Sequence, residues 1–265
     1  MNSPAEIARL YVDTGVQKSK LPIGKMFGLA IFAGMFIALG GFASTVASHG
    51  IPIAALGRIL SALVFPIGLM MVLVGGAELF TGNSLMIMPV FQKRASLGRV
   101  LINWLVVYIG NFVGSLAIAW VAANFFATGD HALYNGALAD TMIKTTVSKS
   151  TMGFLDAFVK GILCNFMVCM AVWVSMAASE LAGKISALYL PIALFVLCGF
   201  EHCVANMYFL PAGLFVSLKT GAGLGVSIVD MLLKNMLPVT LGNITGGAVI
   251  TGFGYWWIYL RGHAE

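Results

Sequence analysis

Glu78-Leu79-Phe80-Thr81-Gly82-Asn83 and Glu201-His202-Cys203-Val204-Ala205-Asn206 decide the fold, because each interrupts an apolar stretch of membrane length with a polar break. Both put a glutamate five residues before an asparagine, and both run on into further apolar residues. A carboxylate, an imidazole and amides are costly in hydrocarbon, so inside a membrane segment they mark a permeation path or a site. Two such breaks at matching places in two halves predict an inverted-repeat transporter or channel.

Composition supports the membrane half of that reading without any motif. Of the 265 residues, 60% are hydrophobic and 9% charged, and the mean hydropathy is +0.95. Globular domains carry about 25% charged residues, and a soluble surface of this size could not be covered with so few. The formal charge of +5 contains no basic run, so it reads as lysine and arginine at membrane edges and not as a nucleic-acid patch. Cys164, Cys169, Cys198 and Cys203 all lie in apolar stretches and read as reduced packing residues. No cofactor or metal is expected. The first twenty residues are too polar for the apolar region of a signal peptide.

A crossing helix needs about 20 apolar residues, and six candidate spans meet that length: 24–48, 57–91, 98–126, 152–179, 186–218 and 227–260. The second and fifth carry the breaks. A polar stretch from Thr128 to Ser150 separates the halves. The reading is an all-α integral membrane protein with six transmembrane helices, in which residues 1–20 form an amphipathic interfacial helix and 21–265 one channel domain. Ser3-Pro4-Ala5-Glu6 has the form of a capping box with proline at the first helical position, and Ile7, Leu10 and Tyr11 recur on one face. Counting lysine and arginine in the flanks puts a modest excess on the side of both termini, which points to cytoplasmic termini in the inner membrane. Tyr255, Trp256, Trp257 and Tyr259 close the last span as an interfacial aromatic belt.

The halves repeat. Asn103, Gly110, Asn111 and Gly114 match Asn235, Gly242, Asn243 and Gly246 in spacing. With the two breaks, this pairs repeats of about 24–126 and 152–260 in a 3+3 arrangement of opposite orientation. Unwinding a helix in a bilayer frees backbone groups that must find partners. Glu78, Asn83, Glu201 and Asn206 read as the anchors of the broken helices and not as transport groups. His202 reads as facing the pathway, where a switchable charge is useful, and Thr81 is its near neighbour by symmetry. Asp156 and Lys160, four apart on the fourth span, fit a structural ion pair.

Glu78-Leu79-Phe80-Thr81-Gly82, Gly161-Ile162-Leu163-Cys164-Asn165 with Val168-Cys169, Gly199-Phe200-Glu201-His202 with Ala205-Asn206-Met207, and Thr240-Leu241-Gly242-Asn243 resemble the formate/nitrite transporter family over nearly the whole chain. The resemblance implies an aquaporin-like six-helix fold with second and fifth helices broken, a homopentamer in the lipid bilayer, and one pore per protomer. It implies small monovalent anions as substrates: formate, nitrite or hydrosulfide, with a lean to formate. It also implies a substrate pathway of His202, Thr81, Asn165 and Lys149. Ser148-Lys149-Ser150 falls in the loop between the halves. Apolar constrictions are implied at Phe65, Leu69 and Phe195 toward the outside and at Leu79 and Phe80 toward the cytoplasm.

A bare anion in a phenylalanine-lined neck loses its hydration at a cost of many kcal/mol. A proton delivered from or through His202 would turn formate into neutral formic acid before the neck, so protons join the substrates; the competing version keeps His202 neutral as a hydrogen-bond donor. The alternative of an aquaporin-like neutral-solute channel lacks the paired Asn-Pro-Ala signature. An intramembrane enzyme lacks Gly-x-Ser-x-Gly, His-Glu-x-x-His or paired aspartates.

Overall fold

The computed structural model describes residues 1–130 and 132–262 and is helical throughout its regular elements, with no strand among the described residues. In chain order these are α1 (Pro4–Ser19), α2 (Ile23–Ser48), α3 (Ala54–Val74), α4 (Phe80–Phe91), α5 (Leu97–Ala127), α6 (Ala137–Ser150), α7 (Phe154–Ser175), α8 (Leu181–Leu197), α9 (Cys203–Thr220) and α10 (Ile228–Tyr259). Five of them, α2, α3, α5, α7 and α10, are long and apolar enough to cross a membrane, and α4 and α8 are shorter apolar helices. Leu105, Leu155, Leu190 and Ile258 stand exposed on the outer faces, as side chains meeting hydrocarbon would.

Close approach of the backbones builds the body. Helix α5 lies on α2, where Gly110 faces the Phe27 carbonyl and Gly114 the Ile31 carbonyl. Helix α10 lies on α7 in the same way, with Gly242 against the Phe158 carbonyl and Gly246 against that of Ile162. Small residues at such crossings let helices pack where lipid offers no hydrophobic drive. Any side chain at Gly246 would run into the Ile162 backbone, which cannot yield as a flexible side chain does. Gly246→Val is therefore expected to cost about 1–3 kcal/mol by overpacking. An unchanged melting temperature of the purified variant in detergent would refute that.

The two expectations about polar segments change form. Helix α1 does carry the capping box, with Ser3 N–H donating to Glu6 Oε2 at 2.6 Å and Glu6 N–H donating to Ser3 Oγ at 3.4 Å. Hydrogen bonds to the carboxyl from the Ser3 backbone and side chain hold Glu6 below its ordinary pKa. Its apolar face, however, is spent on protein: Ile7, Ala8, Tyr11 and Val12 are buried among Leu85, Met88, Trp173 and Leu260. An amphipathic stripe takes whichever apolar surface is nearest, and periodicity alone does not say whether that is lipid or protein. The stretch before Ser150 is not a loop either, since 137–150 forms α6. That helix buries Leu138, Ala139, Met142 and Thr146 against α9, with the Thr146 hydroxyl donating to the Phe209 carbonyl at 2.8 Å. Lys149 is thus fixed in the last turn of a helix, and the lysine is aimed rather than free.

Candidate functional site

Each break is a five-residue non-helical link built the same way. The first runs from the end of α3 to Phe80 and turns at Gly76 (φ +70°); the second runs from the end of α8 to Cys203 and turns at Gly199 (φ +69°). A positive φ at both points favours glycine, which has no Cβ to clash. Leu79 and His202 then adopt the extended conformation and lead into α4 and α9. The freed backbone groups are accounted for one by one. Glu78 N–H reaches the Leu29 carbonyl and Glu201 N–H the Lys160 carbonyl, both at 3.3 Å. Asn111 Oδ1 accepts from Phe80 N–H at 2.9 Å, and its amide donates to the carbonyls of Ala30 and Glu78. Asn243 repeats this in the other half, accepting from Cys203 N–H at 2.9 Å and donating to the carbonyls of Gly161 and Glu201.

The glutamates close the same pattern. Asn83 Nδ2 donates to Glu78 Oε2 at 2.7 Å and to Asn103 Oδ1 at 2.9 Å. Asn206 Nδ2 donates to Glu201 Oε2 and to Asn235 Oδ1, each at 2.7 Å. Each carboxylate also meets one lysine. Lys18 on α1 donates to Glu78 Oε1 at 2.7 Å and to Asn83 Oδ1 at 2.9 Å. Lys149 on α6 donates to Glu201 Oε1 at 2.8 Å and Oε2 at 2.9 Å. Lys18 is a site residue that the sequence reading missed. The registers of the motifs do not align it with Lys149, since the asparagine pairs are 132 residues apart and the glutamates 123; only the structural match of Leu29 with Lys160, 131 apart, pairs the two lysines. One difference breaks the symmetry, because Asn206 Oδ1 accepts nothing among the described residues while Asn83 Oδ1 has Lys18.

The two breaks meet at Thr81 and His202. Thr81 Oγ1 and His202 Nε2 are 2.8 Å apart, both buried. His202 also caps α9, where its Nδ1 accepts from Ala205 N–H at 3.1 Å. That bond fixes the tautomer: Nδ1 carries the lone pair, so the neutral ring holds its proton on Nε2 and donates it to Thr81 Oγ1. The Thr81 hydroxyl hydrogen is then free of this contact. Repeat alignment sets His202 opposite Leu79, not opposite Thr81, since each follows its glutamate directly. A greasy position in one half is an imidazole in the other.

Two cavities lie toward opposite ends of α3, and the wide one reaches His202. The wide vestibule, about 650 Å3, is bounded by Ser44 and Ser48 near the end of α2 and narrows onto Phe65, Phe195 and His202. Phe65 and Phe195 meet edge to face with ring centroids 5.5 Å apart, and Phe195 lies over His202 at 5.9 Å. The narrow vestibule, about 240 Å3, is bounded by Tyr11 and Lys18 of α1 and narrows onto Leu69 and Leu79. Leu69 therefore belongs with Leu79 and not with the two phenylalanines. One helical turn beyond Phe65, it has already passed the neck. Phe80 lines neither vestibule. It is buried against Trp104 and Tyr108, with centroids 6.4 and 4.9 Å away, because the residue after an extended Leu79 points to the opposite side. Asn165 also stands behind the passage, its amide donating to Ser84 Oγ at 3.1 Å and to the Asn243 carbonyl at 2.6 Å. It ties the first break to α10. Asp156 and Lys160 do not pair: among the described residues Lys160 makes no ion pair and opens into the wide vestibule. Asp156 sits instead in the first turn of α7 beside Gly153, where the helix dipole favours a carboxylate.

A family model described as "Formate/nitrite transporter" matches residues 5–257. A "Probable formate transporter" of Methanothermobacter thermautotrophicus is 37% identical over 277 residues, covering 98% of this chain and 97% of that protein. "Formate channel FocA" of Escherichia coli (strain K12) is 34% identical over 272 residues, covering 97% of this chain and 94% of that protein. Among solved structures, a "Pentameric formate channel with formate bound" is similar with a TM-score of 0.77 at 34% identity, covering 90% of this chain and 98% of that one.

Proposed function

The chain belongs to the formate/nitrite transporter family, and on that premise we propose that it is a homopentameric channel for small monovalent weak-acid anions, formate first. The protein is a multi-pass membrane transporter and not an enzyme. In this reading α8 and α9 together make a sixth crossing, as α3 and α4 make the second. The termini face the cytoplasm, the narrow vestibule opens inward and the wide one outward. Nitrite and hydrosulfide share the chemistry that matters, a single charge on the conjugate base of a weak acid.

The observation that supports the proposal is the 2.8 Å hydroxyl–imidazole contact of Thr81 and His202, with His202 facing the wide vestibule beside Phe65 and Phe195, and Leu69 and Leu79 lining the narrow one. Lys149 and Lys18 are each answered by a glutamate, so the net pull on an anion comes from Arg58, Lys144 and Lys160 in the wide vestibule. Between the necks the anion meets the Thr81 hydroxyl, polarised by His202 Nε2–H. A proton picked up at that contact, from solvent and not from the ring, lets it leave through the Phe65–Phe195 neck as the neutral acid, which avoids the desolvation cost of a charge. The capping bond from Ala205 to Nδ1 supports His202 as a neutral donor and not as the proton store.

Purified protein in liposomes with a trapped pH dye tests this. External formate is expected to acidify the interior faster than in protein-free liposomes, with nitrite and hydrosulfide also moving. Passage of water or glycerol with none of the three anions would overturn the reading.

A further inference from the structure

The wide vestibule carries more positive charge than the passage of a single monovalent anion needs. Arg58 on α3, Lys144 on α6 and Lys160 on α7 line the same cavity as Lys149. None of the first three makes an ion pair among the described residues, whereas Lys149 is engaged by Glu201. Glu201 is the cavity's carboxylate, and its oxygens are already taken by Lys149, Asn206 and Asn235. The arginine side chain is solvent-exposed but reaches the second break: a Cβ on Gly199 would lie 3.1 Å from Arg58 Nη1. The narrow vestibule is different, with Lys18 answered by Glu78 at 2.7 Å and no excess cation.

We propose that the wide vestibule is a binding site for a divalent oxyanion, held by Arg58, Lys144 and Lys160, which blocks the channel from that face. Three cations from three helices surround a space far larger than one formate. A dianion gains about twice the Coulomb energy of a monoanion in such a field. Arginine's planar fork suits a tetrahedral oxyanion with two oxygens in reach. The same dianion cannot follow the substrate inward. Its desolvation cost scales with the square of its charge, about four times that of a monoanion, at a neck made of Phe65 and Phe195. What binds tightly and does not pass is a plug.

The inhibition arm of this inference rests on the transport reading above; the binding arm does not. Sulfate is the probe, compared with sodium chloride at matched ionic strength so that screening is common to both. Sulfate on both sides of the liposome membrane is expected to raise the half-saturating formate concentration without changing the maximal flux. In detergent it is expected to raise the melting temperature of the purified protein beyond chloride. The double variant Arg58→Gln/Lys160→Gln is expected to need at least about tenfold more sulfate for half-block, as losing a hydrogen bond to a charged group predicts. If that variant fails to fold, Lys144→Gln is measured in its place with the same direction expected. Equal effects of sulfate and chloride on melting overturn the inference even if no formate moves. So does a half-block concentration that the substitutions leave unchanged.

Discussion

Glu201→Ala is expected to destabilise the folded protein by about 3–5 kcal/mol, the cost of breaking a buried ion pair from one side. The carboxylate is 5% exposed and receives Lys149, Asn206 and Asn235. Removing it leaves one amide hydrogen of each fully buried asparagine without its acceptor and strips the counter-charge from Lys149, whose side chain is 17% exposed. It also loosens the second break, because Asn206 and Asn235 then lose their common acceptor. At roughly 2–4 °C per kcal/mol for a chain of this size, the melting temperature should fall by some 6–20 °C. Glu201→Gln/Lys149→Met should recover part of that loss, since it removes both charges together. A drop in the double variant as large as in Glu201→Ala, or no drop in either, would mean that the cluster does not hold the break. Glu78→Ala tests the same device in the first half, where Lys18 comes from α1 and so couples the terminal helix to the first break.

The breaks were legible because their chemistry conflicts with their surroundings. A glutamate five positions before an asparagine has no reason to recur inside two apolar helices unless it builds something, and the Asn…Asn-x-x-Gly repeat of α5 and α10 supplies the partners. Lys18 and the three vestibule cations were harder. A lysine on a surface helix looks the same in sequence whether it meets water or a buried carboxylate, and only the fold brings α1 under α4. Phe80 and Leu79 were grouped as neighbours in sequence, yet an extended residue sends adjacent side chains to opposite sides, so one faces the passage and the other the packing with Trp104 and Tyr108. The resemblance places Asn165 in the pathway; in the structure its amide donates to Ser84 Oγ and to the Asn243 carbonyl, contacts that only the fold reveals. Asp156 and Lys160 satisfied the i,i+4 rule, but the rule gives proximity, not partnership. The vestibule beside Lys160 and the helix start beside Asp156 compete for the two charges.

His202→Asn separates the two jobs that His202 combines. Asparagine is a good helix cap, and its Oδ1 can accept Ala205 N–H as Nδ1 does now. It is too short to reach Thr81, so the 2.8 Å contact at the centre of the passage is lost while α9 keeps its start. Losing one hydrogen bond that serves a charged species is worth about 1.5–3 kcal/mol, which corresponds to about a tenfold to hundredfold fall in formate flux. The pH dependence then distinguishes the mechanisms. If the imidazole hands its own proton to each anion, it must be recharged on every cycle, and the variant loses the pH response together with the flux. If the ring stays neutral and only polarises Thr81, flux falls by one factor at every pH and the profile keeps its shape, which is set by the substrate's own acid. The geometry favours the second outcome, because a further proton on Nδ1 would point at the Ala205 N–H and remove the cap of α9. Thr81→Val should match the variant, since it removes the hydroxyl that the ring serves. A variant with wild-type flux would place the selective step at the Phe65–Phe195 neck and leave the Thr81–His202 contact as a strut between two broken helices.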